Sequence, residues 1–208
     1  YRIPGNQHYR PGTYVVEGDY SQAAFWLSAG SLGRAICCTG LRSKSSQGDE
    51  VIVSLIRDMG GQVEGKTELT ACPSELVGRV IDVEDCPDLV PVLTVLASCA
   101  KGITRIIHAG RVRLKECDRL HAMATELNKI GGDVEEEAEG LIIHGVGGFT
   151  GGTVNGWNDH RIAMALAVAS QRCNQPLRIE GAECVRKSYP EFWQDFQALG
   201  GIIQKEGE

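Results

Sequence analysis

The sequence predicts an α/β fold in which three repeated βαβαββ-type units pack with pseudo-threefold symmetry around buried helices. Two series of signals carry this prediction, and each series recurs after 69 to 71 residues. The first series consists of apolar stretches that follow an aspartate. The second consists of Gly-Gly pairs that end more amphipathic stretches. An internal repeat of this kind is typical of supersecondary units that stack on a shared core.

The first unit begins with a short predicted strand over Thr13–Glu17. Asp19 then opens an apolar helix over Ser21–Ala29, which we expect Gly30 to end. The same arrangement returns twice, because Asp88 and Asp159 each precede a long apolar stretch. We interpret all three aspartates as helix N-caps that accept hydrogen bonds from first-turn amides. These helices are apolar nearly all round, which indicates burial, and we expect their N-termini to meet at one end.

A second set of helices is predicted to end at the Gly-Gly pairs, since glycine just past a helix adopts the left-handed C-terminal conformation. The first glycines of the pairs are Gly60, Gly131 and Gly200. Strands are expected directly after these pairs and also between the two helices of each unit. The predicted segments are Gln62–Gly65, Asp133–Glu135, a strand beginning at Ile202-Ile203, Ala35–Cys38, Thr104–Ile107 and Leu177–Ile179.

Composition and charge exclude several classes of protein. The 208 residues carry a net charge of −6 with no compensating basic stripe, which argues against nucleic-acid or membrane-surface partners. No apolar run approaches the roughly 18 residues of a membrane-spanning helix. The eight cysteines include no CxxC pair and no zinc-ligand spacing. We therefore expect reduced thiols in a cytoplasmic protein with no metal and no cofactor.

The segment Leu114–Leu120 holds an unusual concentration of charge at a predicted helix start. Lys115 and Arg119 are four residues apart and would share one face of that helix, with Glu116 beside them. Cations at a helix N-terminus oppose the macrodipole, so their presence there indicates a bound anion. The alternative is a solvated first turn in which these charges form surface ion pairs.

Further ionisable groups lie near helix starts in the second and third units. Four cations, Lys115, Arg119, Arg161 and Lys187, would clamp phosphate or carboxylate groups. Asp88 and Glu116 are carboxylates among these cations, as proton transfer requires. Simpler alternatives remain open: Asp88 and Asp159 as N-caps only, His160 as a hydrogen-bonded histidine, and Lys187 as a solvated lysine.

Several of these motifs resemble the 5-enolpyruvylshikimate-3-phosphate synthase family. The most specific are Pro87-Asp88, Lys115–Arg119 and Asn158–Met164. Supporting motifs are Glu17–Ser21, Ser46–Asp49 and Lys187–Pro190. The resemblance extends from about Tyr9 to the C-terminus. The enolpyruvyl transferase that acts on UDP-N-acetylglucosamine shares the fold but matches less well.

The resemblance implies that this chain is the C-terminal half of an enzyme. Residues 17–208 would form an enolpyruvyl transferase domain, and residues 1–16 would be the last strand and crossover from a partner domain. The implied substrates are phosphoenolpyruvate and shikimate-3-phosphate, and the implied partner is the N-terminal half of the same enzyme. The reaction would be an addition followed by an elimination, in aromatic amino acid biosynthesis. We expect the half alone to have essentially no turnover.

The resemblance also implies a role for each site residue. Asp88 would accept the proton of the shikimate 5-hydroxyl, and Glu116 would protonate the methylene carbon of phosphoenolpyruvate. Lys115 would contact shikimate-3-phosphate. The clamp for phosphoenolpyruvate would comprise Arg119, Arg161 and Lys187, with His160 also among the substrate-binding residues.

Two positions depart from the family pattern. Cys117 stands where a serine or threonine is usual, and Arg111 stands where some members carry an asparagine that contacts substrate. No substrate contact is therefore assigned to Arg111. The same residues also leave open a non-catalytic anion-binding domain with this fold, although such a domain has no need of the carboxylates. A third alternative is a purely structural repeat domain.

Overall fold

The computed structural model describes residues 1–205, and within them the chain forms six α-helices and nine β-strands. The helices are α1 (Tyr20–Leu32), α2 (Ile52–Asp58), α3 (Val90–Cys99), α4 (Arg119–Lys129), α5 (His160–Ser170) and α6 (Phe192–Ala198). The strands are β1 (Ile36–Cys38), β2 (Gln62–Glu64), β3 (Leu69–Cys72), β4 (Val80–Asp82), β5 (Ile103–Ile107), β6 (Asp133–Glu137), β7 (Gly140–His144), β8 (Gly152–Asn155) and β9 (Leu177–Glu180).

The strands form three separate sheets, one for each predicted unit. The first sheet has the order β1-β3-β2, the second β4-β5-β7-β6 and the third β8-β9. Strands β4 and β5 pair in parallel, as do β8 and β9, whereas the remaining pairs are antiparallel. The second unit is therefore complete, with the order β4-α3-β5-α4-β6-β7. The mixed α/β fold and its three-unit organisation confirm the predicted fold class.

The three apolar helices α1, α3 and α5 pack against one another and form the core between the sheets. Every residue from Val90 to Ser98 and from Ile162 to Ala169 is buried. Their N-terminal ends come together, because the Arg161 guanidinium in the first turn of α5 contacts Asp88, just before α3. Gln22, in the first turn of α1, donates to Ser188 beside Lys187. The prediction of three buried helices converging at one end is confirmed.

The three Gly-Gly pairs end the outer helices as predicted. Gly60, Gly131 and Gly200 have φ values of 93°, 90° and 100° and follow the caps of α2, α4 and α6. The second glycine of each pair donates its amide to the carbonyl five residues back in the helix. This is the hydrogen bonding expected where a left-handed residue closes a helix C-terminus.

Two predicted strands and one predicted helix end are wrong. Residues 13–17 form no strand, since they lie along the surface and only Gly18, at their end, pairs its amide with Gly40. Ile202-Ile203 likewise begins no strand, and Ile202 is exposed. Gly30 does not end α1, which continues to Leu32. A Cβ at Gly30 would lie 2.8 Å from the Ala71 carbonyl oxygen, so this glycine serves close helix–strand packing.

Two interpretations of the charged segments are also corrected. Asp88 is not an N-cap: it lies inside a 3-10 helix, Pro87–Leu89, and its carboxylate bonds to side chains instead. The helix near Lys115 begins only at Arg119, with Asp118 as its N-cap. Lys115 precedes that helix in an extended conformation, so Lys115 and Arg119 do not share a helical face. Asp19 and Asp159 are N-caps as predicted.

The left-handed glycine that ends α4 provides a test of the repeat. Gly131→Ala places a Cβ on a backbone with φ of 90° and 3.3 Å from the Thr150 methyl carbon. We expect the free energy of unfolding to fall by about 1–2 kcal/mol, measured by urea denaturation. Gly5→Ala, where a Cβ meets nothing within 4 Å, is the control and should leave it unchanged. Equal stability of both variants would contradict the left-handed cap.

Candidate active site

The centre of the site is the side chain of Arg119, which opens α4 and is 1% exposed. Its Nε donates to Asp159 Oδ2 at 2.8 Å, and its Nη2 lies 3.3 Å from Asp159 Oδ1. Nη1 donates to Asp88 Oδ1 at 2.8 Å, and Nη2 donates to Glu116 Oε2 at 2.7 Å. One buried guanidinium thus binds three carboxylates that come from three different segments of the chain.

Asp88 lies among three cations. Besides Arg119, Lys115 Nζ lies 3.2 Å from Oδ1 and Arg161 Nη2 lies 3.1 Å from Oδ2. Burial raises the pKa of this carboxyl, but Arg161, Lys115 and Arg119 together outweigh burial and hold the pKa below its ordinary value. Asp88 is therefore ionised at neutral pH and ready to accept a proton. Lys115 and Arg119 do meet, but at Asp88 rather than on a helix face.

Asp159 is fully buried and combines two tasks. Its Oδ1 accepts the Arg161 amide at 2.9 Å as the N-cap of α5, and both oxygens contact Arg119. Burial raises the pKa of Asp159, but the hydrogen bond and the charge of Arg119 outweigh burial and hold the pKa below its ordinary value. The Cys117 thiol also points at Oδ2, 3.6 Å away. Burial, reinforced by this carboxylate, raises the thiol pKa to about 12, which makes Cys117 a poor nucleophile.

His160 is almost fully buried, and its Nδ1 has no hydrogen-bond partner within the described structure. That nitrogen lies 3.7 Å from Glu116 Oε1 and 3.8 Å from Asp159 Oδ1, beyond hydrogen-bond distance. Burial, and then the charge of Arg161, lowers the pKa of the imidazole. His160 is thus a neutral ring with a free nitrogen facing the carboxylates.

Lys187 lies apart from this cluster. Its ammonium group donates to the main-chain oxygen of Asn158 at 2.5 Å and pairs with no carboxylate in residues 1–205. Asn158 and Trp157 have φ values of 50° and 52°, in the left-handed region. The buried carboxylate of Glu126 holds this loop by accepting from the Trp157 indole at 2.7 Å. Lys187 therefore contacts the loop that leads into Asp159.

Sequence reasoning missed the side of the site that the first unit contributes. Asp49 is buried and accepts a hydrogen bond from the Ser21 hydroxyl in the first turn of α1. Burial raises the Asp49 pKa, although Ser21 and Arg161 act against burial. The Gln47 side chain accepts from the Tyr20 amide at 2.8 Å. Gln47 and Asp49 belong to the motif Ser46–Asp49, and Tyr20 and Ser21 to the motif Glu17–Ser21; both motifs were given only as support for the resemblance.

The charges of the cluster favour an anionic ligand over a metal ion. Glu116, Asp159 and His160 offer ligand atoms within 4.8 Å of one another. However, both Asp159 oxygens already accept from Arg119 or the Arg161 amide, and these two guanidinium groups would repel a metal cation. Arg111 points away, since it donates to the Glu84 carbonyl at 2.6 Å. The cluster can bind an anion and move a proton at a carboxylate.

The described helices include none that is long and apolar enough to cross a membrane.

Comparison with known proteins adds independent information. The sequence matches the family described as EPSP synthase (3-phosphoshikimate 1-carboxyvinyltransferase) over residues 1–196. It is 55% identical to a 3-phosphoshikimate 1-carboxyvinyltransferase of Clostridium kluyveri over 98% of this chain and 48% of the relative. The corresponding protein of Clostridium perfringens strain 13 is 52% identical over 98% of this chain and 49% of the relative.

The fold is also similar to a solved structure, the EPSP synthase of Acinetobacter baumannii. The TM-score is 0.82 with 28% sequence identity, over 91% of this chain and 47% of that structure. The chain therefore spans about half the length of the relatives it matches. The matched family covers residues 1–196 of this chain, and the similar structure has the same fold. The chain belongs to the EPSP synthase family.

Proposed function

We propose that this chain is the C-terminal half of a transferase that moves the carboxyvinyl group of phosphoenolpyruvate to the 5-hydroxyl of shikimate-3-phosphate. The observation that carries the proposal is Asp88 and Glu116 placed within one cluster of Lys115, Arg119 and Arg161. Family membership supports the substrates, since the relatives are named for this transfer. The site residues and their roles are part of the proposal.

In the proposed reaction the 5-hydroxyl oxygen attacks C2 of phosphoenolpyruvate. Asp88 takes the hydroxyl proton, while Glu116 in its protonated form delivers a proton to the methylene carbon, which gives a tetrahedral phospho-ketal. Glu116 then takes a proton back from the new methyl group, and Asp88 passes its proton to the departing inorganic phosphate, which forms the enol ether. The lowered pKa keeps Asp88 in the ionised form that a base requires.

The cations have a separate task in this proposal. Arg119 and Arg161 would bind the phosphate and carboxylate of phosphoenolpyruvate, and Lys115 would contact shikimate-3-phosphate. Such groups stabilise charge as it develops in the transition state. His160, with a free Nδ1 and a lowered pKa, would remain neutral beside Glu116. Lys187 would complete the clamp by leaving the Asn158 carbonyl, with which it now pairs.

The proposed partner is the N-terminal half of the same enzyme, joined through residues 1–16 to a domain formed by residues 17–208. The half-length match to the relatives supports a second half. We also propose a cytoplasmic location, which the eight free cysteines support, since thiols remain reduced there.

Phosphate release from phosphoenolpyruvate and shikimate-3-phosphate tests the function. We expect no turnover from the chain alone and turnover after mixing with a separately produced N-terminal half. Glu116→Gln in the mixture should reduce kcat about 10²- to 10⁴-fold, because the amide cannot supply the proton. Glu137→Gln is the matched control, since Glu137 is an arginine-paired carboxylate of similar exposure in strand β6. Turnover by the chain alone would contradict the half-enzyme proposal; binding without turnover in the mixture would favour a non-catalytic domain.

The pH profile of kcat/KM, which reports groups of the ligand-free enzyme, tests the role of Asp88. Because the pKa of Asp88 lies below its ordinary value, the carboxylate is ionised throughout pH 5–9. Asp88→Asn should therefore lower kcat/KM by about 10²-fold or more at every pH in this range without moving either limb of the profile. Asp82→Asn, which removes an exposed carboxylate paired with His108, should leave kcat/KM unchanged. An acid limb near neutral pH that disappears in Asp88→Asn would refute an ionised base.

A further inference from the structure

The three carboxylates on Arg119 differ sharply in their access to solvent. Asp159 has a side chain that is 0% exposed, whereas those of Asp88 and Glu116 are 30% and 37% exposed. A ligand that approaches from solvent reaches the last two carboxylates and not the first. The three ion pairs are therefore not equivalent, although each involves the same guanidinium.

The three carboxylates also bind different nitrogen atoms of the Arg119 guanidinium. Asp159 occupies Nε and the inner side of Nη2, a two-point contact that fixes the plane of the group. Asp88 occupies Nη1, and Glu116 takes the remaining bond of Nη2. An anion can gain two donors from Arg119 by displacing Asp88 and Glu116, while the Asp159 contact stays in place.

Asp159 also links the other parts of the site. Its Oδ1 accepts the Arg161 amide and so fixes the first turn of α5 that carries Arg161. Its Oδ2 accepts from Cys117, the neighbour of Glu116. The segment before α4 and the start of α5 are thereby held to one buried carboxylate.

We propose that Asp159 is a positioning residue that holds Arg119 in the orientation needed to bind an anion, whereas Asp88 and Glu116 are exchangeable partners that the anion displaces. The inference rests on the proposed function only in taking the ligand to be an anion such as phosphoenolpyruvate. Helix capping alone does not account for this arrangement. Asp19 caps α1 with bonds of 2.7 and 3.3 Å and forms no ion pair in the described structure.

Titration of the 208-residue chain with inorganic phosphate, and then with phosphoenolpyruvate, tests the proposal by calorimetry. Asp159→Asn retains an oxygen for the cap but presents an amide to the guanidinium, so both dissociation constants should rise about tenfold or more. Glu116→Gln removes a competing charge, so the phosphate dissociation constant should fall about threefold. Asp19→Asn, the same change at an equivalent helix cap, should alter neither. The opposite signs at Asp159 and Glu116 separate a fixed from an exchangeable carboxylate.

A second readout needs no ligand. In a ¹⁵N-labelled chain the Nε proton of Arg119 should exchange slowly with water, because it donates to a buried carboxylate, and this protection should be lost in Asp159→Asn. Asp159→Glu decides the matter if Asp159→Asn does not fold. Glutamate keeps the charge that Arg119 needs but moves the carboxylate by one methylene group, which disturbs the two-point contact, so we expect phosphate binding to weaken as in Asp159→Asn.

Three outcomes would overturn the inference. They are unchanged phosphate affinity in folded Asp159→Asn, or in Asp159→Glu if the former is unfolded; weaker binding in Glu116→Gln; and absence of phosphate binding by the unaltered chain. None of these decides the proposed function, which depends on turnover by the two mixed halves. Turnover with unchanged affinity in Asp159→Asn would leave the function standing and remove the positioning role alone.

Discussion

The buried ion pair between Arg119 and Asp159 is the constraint on which the rest of the site depends. A guanidinium that is 1% exposed is very unfavourable without compensating charge, and here the fully buried Asp159 supplies it. Removing one partner of such a pair typically costs about 3–5 kcal/mol, because the other charge remains buried. The start of α4 must therefore stay against the start of α5. This requirement joins the second unit to the third at the point where the side chains of the candidate site meet.

The same pair is central to how an acidic chain could hold the anion site that we propose. The net charge is −6, yet Lys115, Arg119 and Arg161 balance Asp88, Glu116 and Asp159 one for one. Without a ligand every guanidinium has a carboxylate partner, so no buried cation is left unpaired. In the proposed function an anion would replace the partly exposed carboxylates of Asp88 and Glu116 on Arg119 without a large change in buried charge.

The repeat was predictable because its signals are local. An aspartate before an apolar stretch and a left-handed glycine after a helix act within one turn, so Asp19, Asp159 and the three Gly-Gly pairs were placed correctly. The prediction that Gly30 ends α1 was wrong because this glycine instead allows close contact with Ala71, which lies far away in the sequence. Residues 13–17 are rich in the β-branched and aromatic residues that strands favour, but a strand also needs a partner strand, which composition does not supply.

In the candidate site, too, contacts between distant residues decide what sequence spacing alone does not. Lys115 and Arg119 are four residues apart, which suggested a shared helical face. They meet instead because both side chains contact Asp88, Lys115 from before α4 and Arg119 from its first residue. Asp88 looked like a third N-cap because it occupies the repeat position of Asp19 and Asp159. In the second unit Pro87 begins a 3-10 turn instead, and this turn frees the Asp88 carboxylate from capping. The repeat therefore uses one position in two ways: Asp159 keeps the cap and also binds Arg119, while Asp88, released from the cap, binds Arg119 and Arg161, as its proposed role in proton transfer requires.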